Sequence, residues 1–347
     1  MKTFRFALVG VGNIGQRFLH ILLQKQDMLN TRFGLQLSLT AVVDSSGAAL
    51  YDGGLDISQV LHLKETGQSV AAYPRYGQRG LTALDALKQS NAYLLIELSP
   101  TNLKHGEPGL SAITWALEHG MDVVTANKGP LVLAYQRLAA LAAKQKRHLL
   151  FSGAVAGGLP TVNIGRRDLI AAKILRVEGT FNTTTNYILV RMAESGLSFE
   201  EALAEAQRAG VAEADPSLDI DGWDAANKLI IVANSVLGMP ATLQDVSVQG
   251  IRAIDRTQLL QAQERGHAIK LLAIAELAGD RYKLAVRPTE LPFDHILARL
   301  SKWQMGVVYT TDINGTITAI IEEEGTTATA GAVLRDVVNL LTVRGNS

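Results

Sequence analysis

The stretch Phe4-Arg-Phe-Ala-Leu-Val-Gly10-Val-Gly12-Asn-Ile-Gly15 decides the fold. Its first half is apolar apart from one arginine, the pattern of a strand buried on both faces of a parallel sheet. Its second half fits the spacing G-x-G-x-x-G. Gly10 permits the tight turn, Gly12 lets a pyrophosphate approach the backbone, and Gly15 allows close helix packing, with Asn13 and Ile14 opening the helix whose N-terminus faces the phosphates. Ile14-Gly-Gln-Arg-Phe-Leu-His-Ile-Leu-Leu23 is then apolar at helical spacing. Leu35 to Val43 forms the next strand and ends at Asp44, placed to accept hydrogen bonds from an adenosine ribose. Ser45-Ser46-Gly47 brings no arginine for a 2′-phosphate, so NAD is expected ahead of NADP; Lys64 leaves NADP disfavoured rather than excluded.

Working outward, Ala92 to Glu97 reads as a third strand ending in Leu98-Ser99-Pro100, and Met121 to Thr125 as a fourth ending in Ala126-Asn127-Lys128. Helices are expected near 81–90, 107–119 and 130–146. Strands alternating with helices imply a Rossmann-type, doubly wound parallel sheet, an α/β fold whose ligands lie beyond the strand C-terminal ends. The small, glycine-rich run Ser152-Gly-Ala-Val-Ala-Gly-Gly-Leu-Pro160 marks a boundary. The expected division is a dinucleotide-binding domain over 1–151, joined by a C-terminal helix at about 325–347, and an α+β substrate-binding and dimerisation domain over 152–324. In the latter, helices are expected near 185–195, 198–209 and 221–237, with strands near 174–179, 246–251, 269–277, 282–288 and 307–310.

Composition narrows the function. The chain has 347 residues, 47% of them hydrophobic, and its 33 Lys+Arg balance 33 Asp+Glu, which gives no support to a nucleic-acid partner. With no cysteine, a disulfide framework, thiolate zinc sites and a thioester mechanism are excluded. None of the eight tyrosines is followed four residues later by lysine, which removes the short-chain reductase pair, and the seven histidines show no close metal-ligand spacing. No apolar run reaches the ~18 residues of a membrane span and no signal peptide is visible, so a cytoplasmic enzyme is expected.

What remains is an acidic and lysine cluster, Glu213-Ala-Asp215-Pro-Ser-Leu-Asp219-Ile-Asp221-Gly-Trp-Asp224-Ala-Ala-Asn-Lys228. Asp221 is expected to cap the following helix, and Asp224 and Lys228 share one face of it. A cap plus a surface ion pair is one reading. The other is catalytic: the helix is apolar nearly all round, and a partly buried lysine beside carboxylates can donate a proton while the carboxylates hold an ammonium group.

With these motifs the chain resembles the homoserine dehydrogenase family. Gly10 to Gly15, Val124-Thr-Ala-Asn-Lys-Gly-Pro130, Gly157-Gly-Leu-Pro160, Asn182 to Leu189 and above all Ala212 to Lys228 carry the resemblance across both expected domains. It implies NAD(P)H-dependent reduction of L-aspartate 4-semialdehyde to L-homoserine, on the threonine and methionine branch of aspartate metabolism. By motif, Lys228 resembles the family's proton-donating lysine and Lys128 its second active-site lysine, near the nicotinamide. Glu213 and Asp224 resemble its substrate-binding carboxylates, with Asp219 and Thr184 beside the substrate, and Ser99 and Gly325 fall where the family touches the cofactor. The resemblance further implies a monovalent cation held by the backbone carbonyls of Ser152, Val155, Gly157 and Leu159. It also implies a homodimer through the second domain and a stand-alone, monofunctional enzyme without a C-terminal regulatory module. Thr183, Val211 and Ser152 depart from the family's usual glycine, tyrosine and glutamate. Two alternatives stay open: a dehydrogenase of a related amino-acid-like aldehyde, or a nucleotide-binding sensor without catalysis.

Overall fold

The computed structural model describes residues 2–345. The chain divides into two compact units: one holds the chain up to Gly158 together with the segment from Thr326 onward, the other Leu159–Gly325.

The first unit is built on seven strands in the order β4-β3-β2-β1-β5-β6-β7. β1 (Lys2–Val9), β2 (Leu35–Asp44), β5 (Leu94–Glu97), β6 (Asp122–Thr125) and β7 (Leu149–Leu150) pair in parallel, while β3 (Gly47–Leu50) and β4 (Gly77–Arg79) add antiparallel beyond β2. The crossovers are α1 (Asn13–Phe33), α2 (Ile57–Glu65), α3 (Ala83–Gln89), α4 (Gly109–Glu118) and α5 (Lys128–Lys144). Phe6 and Leu8 of β1 are fully buried against Phe18, Leu19 and Leu22 of α1, which is why that strand reads as an uninterrupted apolar run. β3 and β4 escape the sequence reading because four and three residues are too short to show an alternation.

The last helix, α12 (Thr327–Gly345), returns to this unit, and its Val333, Val337 and Leu340 join the core of Phe18 and Leu22. The helix expected at about 325–347 runs at its end onto Asn346 and Ser347, which lie outside the described residues. The break between units comes after Gly158, later than the 151/152 expected. The cause is a set of ties to α12: Ser152 N donates to Asp336 Oδ2 at 2.8 Å, and Arg335 donates to Ser152 Oγ at 3.1 Å and the Gly158 carbonyl at 3.3 Å.

The second unit carries a six-stranded sheet, β13-β12-β8-β10-β11-β9. It is antiparallel except where β9 (Val246–Val248) pairs with β11 (Arg281–Pro292); β8 (Ile174–Thr180), β10 (His267–Ala278), β12 (Gln304–Thr311) and β13 (Thr316–Glu322) complete it. Its helices are the single turn α6 (Thr161–Asn163), α7 (Thr183–Ser195), α8 (Phe199–Arg208), the short α9 (Ser217–Ile220), α10 (Trp223–Ser235) and α11 (Arg256–Glu264). β13 was not foreseen; it is an edge strand with every residue at least partly exposed, so no buried stripe marks it. Among the described residues no helix is long and apolar enough to cross a membrane.

Candidate active site

Each unit contributes a cluster at the place its motifs predict. In the first, Gly10 has φ 94°, and a Cβ there would lie 2.4 Å from Leu98 C and Ser99 N, so only glycine fits the turn against the end of β5. A Cβ on Gly15 would meet the Gly10 carbonyl at 2.3 Å, which is how closely α1 packs on the turn. Gly12 is different: nothing lies within 4 Å of its Cβ position, and it caps α1 without a side-chain hydrogen bond. Asn13 and Ile14 are the first residues of α1, whose N-terminal amides have no acceptor within the helix, the arrangement that suits a pyrophosphate. These residues fit a bound dinucleotide.

Asp44, at the end of β2, is a hub. Its Oδ1 accepts from Ser46 N at 3.0 Å and Ser69 Oγ at 2.8 Å; its Oδ2 accepts from Lys64 Nζ at 2.8 Å and Val70 N at 2.9 Å. Burial pushes its pKa up, but these donors together outweigh that and hold the carboxyl below its ordinary range. Four donors use the carboxylate's roughly four acceptor positions, so a ribose hydroxyl reaching Asp44 must displace one of them.

At the ends of β5 and β6, Ser99 is buried and Asn127 caps α5, its Oδ1 accepting from Gly129 N at 3.0 Å. This fixes Lys128 as the first residue of that helix, half-buried. Gly325, with φ 74° and open space around its Cβ position, lies in the turn before α12.

In the second unit the acidic cluster closes around Asn182, the cap of α7. Its Oδ1 accepts from Thr185 N at 2.9 Å, while its amide donates to Asp219 Oδ1 at 2.6 Å and Asp224 Oδ2 at 2.9 Å. Lys228 Nζ donates to Asp224 Oδ2 at 2.6 Å and the Phe181 carbonyl at 2.6 Å. The two side chains are 12% and 11% exposed, which excludes a solvated surface pair. Burial, then the neighbouring Asp224 charge, raises the pKa of Asp219 against the opposing effects of Lys228, Thr184 and Asn182. Thr184 also donates to the Val211 carbonyl at 3.1 Å. Glu213 stands apart: it is exposed, and only its backbone carbonyl is engaged, by Gln207 Nε2 at 3.2 Å.

Asp221 does not cap α10 as expected. Gly222 does, at φ 87°, where a Cβ would press to 3.2 Å on Val248 and Val286; Asp221 instead pairs with Arg252. The helix starts one residue later because the chain must turn through a left-handed residue to bring Asp224 inward.

The sequence comparisons follow this geometry. Residues 10–152 match the family model described as the NAD-binding domain of homoserine dehydrogenase, and residues 160–338 match that of homoserine dehydrogenase itself. The chain belongs to the homoserine dehydrogenase family. A homoserine dehydrogenase of Methanocaldococcus jannaschii is 36% identical over 96% of this chain and 97% of its own length. An NAD(+)-dependent homoserine dehydrogenase of Pseudomonas canavaninivorans is 32% identical over 98% and 97%. The crystal structure of homoserine dehydrogenase from Thermoplasma acidophilum matches with TM-score 0.83 at 28% identity, over 98% of this chain and 99% of that one. As a member of the homoserine dehydrogenase family the protein is an oxidoreductase with a nicotinamide-nucleotide domain.

The homoserine dehydrogenase resemblance also led to a monovalent cation at the backbone carbonyls of Ser152, Val155, Gly157 and Leu159, which lie on the buried glycine-rich turn or just after it. The Leu159 carbonyl already accepts from Thr161 N at 2.8 Å, the Ser152 carbonyl lies 3.5 Å from Val155 N, and the Arg335 guanidinium brings its own positive charge to Ser152 Oγ and Gly158 O. Sequence reasoning assigned no role to Asn182 or Glu97. An asparagine preceding Thr183-Thr-Thr is a helix-cap signal for the first; the second, an acid closing an apolar strand, has no counterpart in local pattern.

Proposed function

We propose that the protein interconverts L-aspartate 4-semialdehyde and L-homoserine with NAD(P), and that Lys228 is its proton donor and acceptor. The observation carrying this is the ammonium of Lys228, held between Asp224 and the Phe181 carbonyl inside a cluster of two carboxylates. Those contacts occupy two of its three N–H donors, leaving one for a substrate oxygen. When bound, NAD(P)H supplies the hydride to the aldehyde carbon. Negative charge then grows on the aldehyde oxygen, and the Lys228 N–H stabilises and protonates it as the transition state forms. Asp224 fixes the position of Nζ, and Asn182 in turn fixes Asp224. Asp219, with Thr184 alongside, meets the substrate ammonium, whose charge is the same before and after reaction, and Glu213, assigned to it by the family motif, has an exposed side chain free to turn toward it. Lys128 serves the nicotinamide end, with Ser99 and Gly325 as further cofactor neighbours. The deciding measurement is absorbance at 340 nm with purified protein, homoserine and either NAD or NADP; no reduction with either nucleotide overturns this reading.

Three further outcomes are expected. Glu213→Ala raises the KM for homoserine by about tenfold or more with little change in kcat, since it removes binding that ground and transition states share. NAD is the preferred cofactor because Asp44 remains an ionised acceptor beside the ribose site; Asp44→Ser weakens NAD and relaxes discrimination against NADP, and Lys64→Ala raises the KM for NADP by about tenfold, the scale of one lost phosphate contact. Steady-state kinetics with both nucleotides checks each. A homodimer through the second unit is proposed on the exposed face of β13, where Ile320 is 41% exposed; analytical ultracentrifugation tests it.

A further inference from the structure

β5 ends on a carboxyl that none of the chemistry above uses. Glu97 is 0% exposed. Its Oε1 accepts from Ser99 N at 2.9 Å, from Ser99 Oγ, and from Asn127 Nδ2 at 3.4 Å; its Oε2 accepts from Thr125 Oγ1 at 2.9 Å. Thr125 Oγ1 itself accepts from Asn127 N at 3.0 Å, and Ser99 Oγ accepts from Asn127 Nδ2 at 3.2 Å, an arrangement that leaves each hydroxyl proton to point at Glu97. Every polar neighbour thus donates to Glu97 in this arrangement. The first residue of α4 closes over the group: a Cβ on Gly109 would lie 3.1 Å from Glu97 Oε1, which places the positive end of that helix beside the carboxyl. Burial raises the Glu97 pKa, and the hydrogen bonds from Ser99, Thr125 and Asn127 oppose the rise; these donors and the N-terminus of α4 are what favours the ionised form here.

The position of this anion gives it a use. Strand order reverses between β1 and β5, the pyrophosphate turn follows β1, and the adenosine ribose residue Asp44 ends β2 on one side. The nicotinamide half of a dinucleotide is thereby assigned to the other side, over the ends of β5 and β6, where Glu97, Ser99 and Asn127 stand. The oxidised nicotinamide ring is a cation and the reduced ring is neutral.

We propose that Glu97 is a buried counter-charge to the oxidised nicotinamide, held ionised by Ser99, Thr125 and Asn127, and that it makes the protein bind NAD+ more tightly relative to NADH. The same residue positions Asn127, and with it the start of α5 at Lys128. The proposal rests on the first unit's being the nicotinamide site, and concerns binding rather than turnover.

The test is the ratio of dissociation constants for NAD+ and NADH, measured by calorimetry on the full-length protein. In Glu97→Gln, which keeps the shape and removes the charge, Kd(NAD+)/Kd(NADH) is expected to rise on the order of tenfold, the scale of one partly screened charge at short range. Glu97→Asp, which keeps the charge, is expected to hold the ratio within about twofold of the unmodified protein even if both affinities fall. A purely structural role weakens both nucleotides by the same factor; an unchanged ratio in Glu97→Gln overturns the proposal. Should Glu97→Gln not fold, Glu97→Met, neutral and without the amide's extra donor, carries the same expected rise and the same overturning result. Failure of the unmodified protein to bind either nucleotide would remove the cofactor reading itself, an outcome distinct from binding both with a charge-independent ratio.

Discussion

In Lys228→Ala, kcat for homoserine oxidation is expected to fall by on the order of 10²-fold or more, the scale of general acid–base catalysis, while the Kd for NAD stays within about twofold. The separation follows from placement. Lys228 lies on α10 in the second unit, whereas the glycine turn belongs to the first. Losing the ammonium also leaves Asp224 with a buried charge beside Asp219, so the variant is expected to be less stable by about 3 kcal/mol, the cost of breaking a buried pair. Circular dichroism and a melting curve keep that loss apart from the kinetic one. Lys228→Arg retains the charge and the tie to Asp224 but hardly releases a proton, so it should recover stability without recovering turnover. If Lys228→Ala turns over at a near-normal rate while folded, the lysine is a structural ion pair and the proton donor lies elsewhere.

Gly10→Ala is expected to abolish dinucleotide binding and to lower the melting temperature by about 10 °C. The added methyl would stand 2.4 Å from two backbone atoms of the turn after β5, and backbone cannot rotate aside as a side-chain tip can. The φ of 94° adds strain for any residue with a Cβ. Together these put the cost at about 3 kcal/mol, and a domain of this size loses about 2–4 °C per kcal/mol. Gly12→Ala is the contrast. Its Cβ position is empty, so the protein should melt near its usual temperature and lose affinity only through the volume the pyrophosphate would occupy. Equal melting temperatures for the two variants would mean that the turn is looser than its contacts imply.

Much of this is legible in the sequence. The run into Gly10, the glycine spacing and Asp44 declare a nucleotide fold because each residue type answers a local steric or electrostatic demand. The helix carrying Asp224 and Lys228 shows its one-face pairing in a four-residue spacing. What stayed hidden is non-local. Asn182 joins two carboxylates 37 and 42 positions away, and Glu97 gathers donors at the end of β6 that lie 28 and 30 positions from it. Nothing in the immediate sequence of either residue announces such partners. Asp44 was read as an acceptor awaiting a ribose, yet the chain fills it first with Lys64, Ser69, Val70 and Ser46. Asp221 lost its place as a cap to a glycine, because a left-handed turn was needed where a carboxylate could only have offered a hydrogen bond.

The return of α12 to the first unit bears on the order in which the protein is made. The second unit is one unbroken stretch of chain, complete once Gly325 has left the ribosome, and can settle as translation proceeds. The first unit, although its sheet precedes the second unit in the chain, lacks Val333, Val337 and Leu340 until α12 emerges, so their part of the core around Phe18 and Leu22 is missing until then. The unit begun earlier is therefore completed after the second one, once α12 has been made.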